Sequence, residues 1–156
     1  MKLSDSIRGL FAETRIVEHP DDYVIVSIDV MEEAGARRLL GELNPFSSIT
    51  FDREEVSVVL KSAEWGALRG DFSSAKEAGP YRLITFDIFL DLSIVGFLSA
   101  VSTLLAEEGI SIYALSTYLR DHILVKKEDA ERAVGALQRL VESCKRSLRA
   151  TGQNCI

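Results

Sequence analysis

The chain has 156 residues, 47% hydrophobic and 27% charged with only 3 prolines, which lies outside the disordered range and can bury roughly 70% of its unfolded surface, enough for one ordinary core or two small fused units. Lys+Arg 18 against Asp+Glu 24 gives a net charge of −6, which repels nucleic acid and anionic lipid and excludes both as expected partners. No run approaches the ~20 uninterrupted apolar residues of a membrane span, and Met1 to Leu10 carries Lys2, Asp5 and Arg8 where a signal peptide needs an apolar stretch, so a cytoplasmic location is expected.

In chain order, Thr14 to Glu18 reads as a spare strand, and His19 precedes Pro20 in an expected loop. Tyr23 to Asp29 reads as a strand, and Met31 to Leu43 as a helix with Met31, Ala34, Leu39, Leu40 and Leu43 apolar. Phe46 to Phe51 and Val56 to Leu60 then flank the turn Asp52-Arg-Glu-Glu55. Lys61 to Gly79 contains Trp65 and the small polar run Asp71-Phe-Ser-Ser-Ala-Lys76, and reads as a short helical turn and an exposed linker. Within it, Gly66-Ala-Leu-Arg-Gly70 lacks the Lys and Ser/Thr of a nucleotide loop.

From Arg82 to Leu90 the side chains alternate, with Ile84, Phe86, Ile88 and Leu90 on one face, the period-2 pattern of a strand. Ile94, Phe97, Leu98, Val101, Leu104 and Leu105 then recur at helical spacing until Gly109 stops the run. Two more strands follow, Ile110 to Thr117 and His122 to Val125, and a last helix begins near Glu128 and Asp129, whose charges suit a helix N-terminus.

Each half therefore reads βαββ, and the expected fold is α+β: two ferredoxin-like units, residues 1–79 and 80–156, with antiparallel sheets and helices packed on one face. The second unit lacks a closing strand after its last helix, because Ser143 to Ile156 is charged and small. Thr14 to Glu18 is expected to fill that place and so interlock the halves. The strand face bearing Leu83, Phe89, Tyr113 and Leu115 then has no helical cover, which points to the sister unit or a homodimer.

Chemistry-bearing residues concentrate in Asp91-Leu-Ser-Ile-Val-Gly96, a polar turn between strand and helix. The first N–H groups of a helix lack internal partners, so such a turn can cradle a small anion. Cys144 and Cys155 have no neighbouring His and no metal-type spacing, so no metal, disulfide framework or cofactor is expected. A Ser–His–Asp system has little support: Gly-x-Ser-x-Gly does not occur, and Asp121 and His122, adjacent on a strand, face opposite ways.

The tracts Ile110-Ser-Ile-Tyr-Ala-Leu-Ser-Thr-Tyr118, Asp121-His-Ile-Leu-Val125 and Glu128-Asp-Ala-Glu-Arg-Ala133 resemble the ACT domain family of amino-acid-sensing modules. The chain is similar to small proteins with two ACT-like units, related to the ACT pairs of aspartate kinases and Castor-type arginine sensors, with Asp91 to Leu98 in the place of their ligand loop and Glu55 to Val59 in that of the strand before the linker. The resemblance implies a non-catalytic regulatory protein that binds an amino acid at the interface of its units, through Asp91, Ser93, Ile94, Val95, Gly96, Ser116, Thr117, Tyr118 and Asp121. The residue types agree: a carboxylate suits the N–H groups near the helix start, an ammonium suits Asp91 or Asp121, and Gly96 lets a ligand approach the backbone.

The same residues also fit structural roles. Asp91 and Ser93 are common turn and cap residues, Gly96 can relieve helix–sheet crowding, Asp121 can shape a hairpin, and Ser116 and Thr117 can be edge-strand hydroxyls. A non-binding dimerisation scaffold therefore stands beside the sensor reading. Two departures from the family are His122, where a Tyr is usual, and Leu119-Arg120 in place of small polar residues. Arg120 sets a cation beside the expected pocket, which admits an acidic or doubly anionic ligand.

Overall fold

The computed structural model describes residues 3–150 and Gly152. In chain order the elements are α1 (Asp5–Glu13), β1 (Arg15–Asp29), α2 (Glu33–Leu39), β2 (Ser48–Phe51), β3 (Glu55–Lys61), α3 (Ser62–Leu68), β4 (Lys76–Asp87), α4 (Phe97–Glu107), β5 (Ile112–Ser116), β6 (Asp121–Lys126) and α5 (Ala130–Ala150). They form two compact units, one made of the N-terminal residues through His19 together with Leu83 onward, the other of Pro20–Arg82. Strands β1 and β4 each contribute to both. The class is α+β, as the alternation of strand and helix patterns implies.

In the unit of the N- and C-terminal segments the strand order is β1-β4-β6-β5, so the segment from Arg15 stands beside β4. Ile84 and Phe86 of β4 and Ile123 and Val125 of β6 share one face and are fully buried against α1, α4 and α5. Helix α1 forms because the Ser4 hydroxyl accepts from the Ile7 N–H at 3.3 Å, and because Ile7 and Phe11, four residues apart, share one buried stripe. Thr14 ends it, its hydroxyl donating to the Leu10 carbonyl at 2.7 Å. The Phe11 ring stacks on Phe97 with centroids 4.5 Å apart, and Phe86 meets Phe97 edge-on at 5.4 Å. At the other end of α4, Gly109 takes φ 72° and the Ile110 N–H reaches the Leu105 carbonyl at 2.8 Å, which closes the helix.

The Pro20–Arg82 unit has the order β2-β3-β1-β4. Strand β3 pairs antiparallel with β1, from Tyr23 opposite Lys61 to Asp29 opposite Glu55, and with β2, from Ser48 opposite Val59 to Phe51 opposite Val56. Its core joins Val26, Ile28, Val56, Val58 and Leu60 to Ala36, Leu39, Trp65 and Phe72.

Several local expectations are corrected. The helix expected over Met31 to Leu43 is a 3-10 turn, Val30–Glu32, followed by α2, and Met31 is 88% exposed. Lys61 to Gly79 is no exposed linker: Trp65 is buried in α3, stacks on Phe72 at 5.9 Å, and donates its indole N–H to Glu77. His19 lies within β1 rather than in a loop, with Nε2 2.8 Å from Thr85 Oγ1. Leu83, read as lacking cover, is fully buried, whereas Phe89 is 59% exposed. Cys144 is a buried free thiol, its pKa pushed up by that burial; Cys155 lies outside the described residues.

Candidate functional site

Strand β4 ends at Asp87, and the loop beyond it is shaped by its own polar groups. Asp91 Oδ1 accepts from the Ser93 N–H at 2.9 Å and from the Ser93 hydroxyl at 2.6 Å, which holds the carboxyl below its ordinary range, the hydroxyl bond contributing most. The Ile94 N–H donates to the Asp91 carbonyl at 3.0 Å and completes the turn. Gly96 follows with φ 100°, a conformation open to glycine and strained for other residues. Its carbonyl accepts from Ala100, but no side chain among the described residues caps α4. The first N–H groups of an 11-residue helix therefore remain available.

The facing wall is the β5–β6 hairpin. Ser116 stands opposite Asp121 in the register, and its hydroxyl donates to Asp121 Oδ1 at 2.6 Å. The Thr117 N–H and hydroxyl both donate to the Arg120 carbonyl, at 2.8 and 3.1 Å, and close the hairpin. The Leu90 N–H donates to the Leu119 carbonyl at 3.0 Å, which ties the hairpin to the loop.

A cleft of about 240 Å³ lies between these walls, within one unit. Of the residues expected from the sequence, Asp91, Ile94, Gly96, Ser116, Thr117 and Asp121 line it. Ser93 stands behind as the donor to Asp91, while Val95 and Tyr118 are 87% and 75% exposed and outside the lining. The helix start, expected from the sequence as a cradle of N–H groups up to Phe97, lines it too, and Leu90, Leu92, Leu98 and Ser99 are wall residues that sequence reasoning did not place there. The signal for Leu98 and Ser99 was present, since the residues after an uncapped N-terminal glycine carry its free N–H groups.

Arg120 also lines the cleft. Its Nε donates to Asp87 Oδ1 at 3.1 Å, and Arg15 grips Asp87 Oδ2 through Nε and Nη2 at 3.1 and 2.6 Å. These two guanidinium groups, Arg15 first, hold the Asp87 carboxyl below its usual range. The wall thus offers carboxylate oxygens, hydroxyls, a guanidinium and open helix N–H groups, a set suited to a small zwitterion. Among the described residues no group of three or more His, Cys, Asp or Glu is placed to hold a metal ion. His122 is buried, outside the cleft lining, with Nδ1 2.9 Å from Thr85 Oγ1. A second hollow of about 320 Å³, in the Pro20–Arg82 unit, has a predominantly acidic wall that includes Asp29, Asp52, Glu54 and Glu55.

No helix among the described residues is long and apolar enough to cross a membrane. Among curated proteins none matches this chain. Solved structures do. A Vibrio cholerae protein of unknown function, described as a possible transport protein, is 26% identical with TM-score 0.71 over 88% of this chain and 97% of that one. An Agrobacterium tumefaciens protein is 21% identical, TM-score 0.65, covering 82% and 89%. The ligand-free regulatory subunit of aspartate kinase from Thermus thermophilus is 12% identical, TM-score 0.61, covering 81% and 97%. At these lower identities the likeness is one of fold. The ACT domain family matches residues 79–139, a span that contains the Asp91–Gly96 turn, α4 and the β5–β6 hairpin, and so the stretch that builds the cleft.

Proposed function

We propose that the protein is a non-catalytic regulatory sensor that binds an amino acid, or a close relative, in the cleft between the Asp91–Gly96 turn and the Ser116–Asp121 hairpin. One observation carries this reading: the cleft brings the uncapped start of α4 together with the carboxylates of Asp91 and Asp121. The helix start supplies donors to a carboxylate, and Asp121 supplies acceptors to an ammonium. Ser116 orients Asp121 and leaves Oδ2 for the ligand. Gly96 gives the backbone turn that aims the helix.

The same reading includes a homodimer and a regulated partner. Leu92, Val95 and Tyr118 expose large apolar surface around the cleft, which a second copy would bury. The Pro20–Arg82 unit, whose βαββ order parallels that of the ACT domain, is taken as a second, ACT-like unit. The cytoplasm is the proposed place of action, where Cys144 stays a thiol.

A thermal-shift screen with the proteinogenic amino acids tests the proposal. A ligand at about 100 times its Kd stabilises the fold by about 2.7 kcal/mol, and Asp121→Asn or Ser116→Ala should remove most of the shift. If no amino acid shifts the transition while the dimer persists in sedimentation, the protein is a dimerisation scaffold.

A further inference from the structure

The cleft's cation is held in an unusual way. Two guanidinium groups share one carboxylate, and they share it unequally: Arg15 makes two bonds to Asp87 Oδ2, Arg120 makes one to Oδ1. The cluster therefore keeps a positive charge in excess, and Arg120 is its less neutralised member. Because that single bond uses Nε, the terminal N–H groups of the fork have no hydrogen-bond partner among the described residues. The Arg120 backbone is pinned on both sides by Thr117, whose hydroxyl donates to the Arg120 carbonyl and accepts from its N–H at 3.2 Å. Asp87 holds the side chain through its Nε. A guanidinium so anchored loses little further freedom when it pairs with an anion.

The opposite charges in the wall are already engaged at one oxygen each, Asp91 by Ser93 and Asp121 by Ser116. Asp91 spends its bonds on the turn, which leaves Asp121 as the better placed acceptor for an ammonium. The α4 start can take one carboxylate and the Arg120 fork a second. The volume, about 240 Å³, lies below the roughly 300–1,000 Å³ of drug-sized sites and suits a ligand of few atoms. Resting on the amino-acid reading of this cleft, we propose that it selects a zwitterion with a second anionic group, an acidic amino acid or close analogue, and that Arg120 is the specificity residue, positioned by Asp87. A basic side chain would meet Arg120 as a like charge.

Isothermal titration of the full chain with aspartate, glutamate, asparagine, glutamine and lysine, at two salt concentrations, tests this. An acidic amino acid should bind at least about tenfold more tightly than its amide isostere, as expected for a charge-assisted bidentate contact. Arg120→Gln should erase that preference, the acid then binding no more tightly than its amide, and Arg120→Lys, which keeps the charge and loses the fork, should retain part of it. Asp87→Asn should weaken acidic ligands alone. Amides or lysine binding as tightly as the acids, with Arg120→Gln without effect, would overturn the specificity and leave the amino-acid site standing. Binding of none of the five overturns this proposal, and a screen of the remaining amino acids then decides the site itself. Circular dichroism of each variant identifies any loss that is a loss of fold.

Discussion

Thr85 Oγ1 lies 2.9 Å from Nδ1 of His122, and the same hydroxyl meets Nε2 of His19 at 2.8 Å. A hydroxyl donates one proton, so two neutral rings are satisfied when one accepts from Thr85 and the other donates to it. Burial lowers the His122 pKa from its ordinary 6.5, and the charges of His19 and Arg120 add to the effect while Asp121 opposes it. As pH falls through 6.5 the unfolded chain takes up a proton at this position before the folded chain does, so stability falls with pH. It is fully present above 6.5 and lost progressively below, toward the lowered folded value. Urea unfolding should show a lower midpoint at pH 5 than at pH 7.5. His122→Phe should flatten that slope; an identical slope in the variant would assign it to other groups.

Thr85→Val keeps shape and removes the hydroxyl from between the rings. His122 is the buried ring of the two, and the loss of a buried polar group's hydrogen-bond partner costs about 1–3 kcal/mol. Denaturant unfolding at pH 7.5 should read a loss in that range. A change below the error of the measurement would mean that other contacts satisfy both rings.

At Gly96 the conformation, not the space, is decisive. A Cβ there would meet only Ile7 Cγ1, at an ordinary 3.8 Å, but φ is 100°. Gly96→Ala should therefore cost about 1–3 kcal/mol through backbone strain alone, and Gly96→Asn should cost less, because Asn tolerates positive φ better. Equal losses for both, by calorimetry, would point to a steric cause instead.

These sites differ in how far the sequence discloses them. Gly96 and Gly109 are legible because a glycine at a helix boundary has a local cause, and the β5–β6 hairpin because its alternation is local too. The His19–Thr85–His122 chain was not legible: its members lie 66 and 37 residues apart, and His19-Pro20 carries the mark of a loop. The Arg120–Asp87 bond spans 33 residues in the same way. Trp65 and Phe72 sit in a polar, small-residue stretch whose burial exists only through tertiary contact. Helix α1 is a different miss. Ser4 followed by Ile7 and Phe11 is a readable cap and stripe with a purely local cause.

Phe11 anchors that helix to α4. It is fully buried, and its ring stacks on Phe97, whose residue begins α4 and lines the cleft. Phe11→Ala should cost about 3–5 kcal/mol, the transfer and cavity terms together. Because the lost ring supports the first turn of α4, ligand-induced stabilisation should shrink as well. A variant destabilised by that amount yet binding with wild-type affinity would show that the α4 start holds its place without α1.

In the Pro20–Arg82 unit, Glu32 accepts four hydrogen bonds: Oε1 from the Ser73 N–H and hydroxyl at 2.9 and 3.0 Å, Oε2 from the Ser74 N–H and hydroxyl at 3.3 and 2.6 Å. These bonds, the Ser74 hydroxyl first, bring its pKa from 4.5 down to about 2. A carboxylate depressed in the folded state stabilises the fold fully above pH 4.5, and the contribution disappears as pH falls toward 2. Glu32→Gln replaces one pair of acceptor lone pairs with N–H donors that face the serine donors. Protection factors at Ser73 and Ser74, corrected for the intrinsic exchange rate, should fall in the variant at neutral pH and in the wild type as pH nears 2, while the buried strand amides of Val58 and Leu60 keep their protection. Unchanged exchange at both serines would mean that Phe72, stacked on Trp65, fixes this segment without the carboxylate.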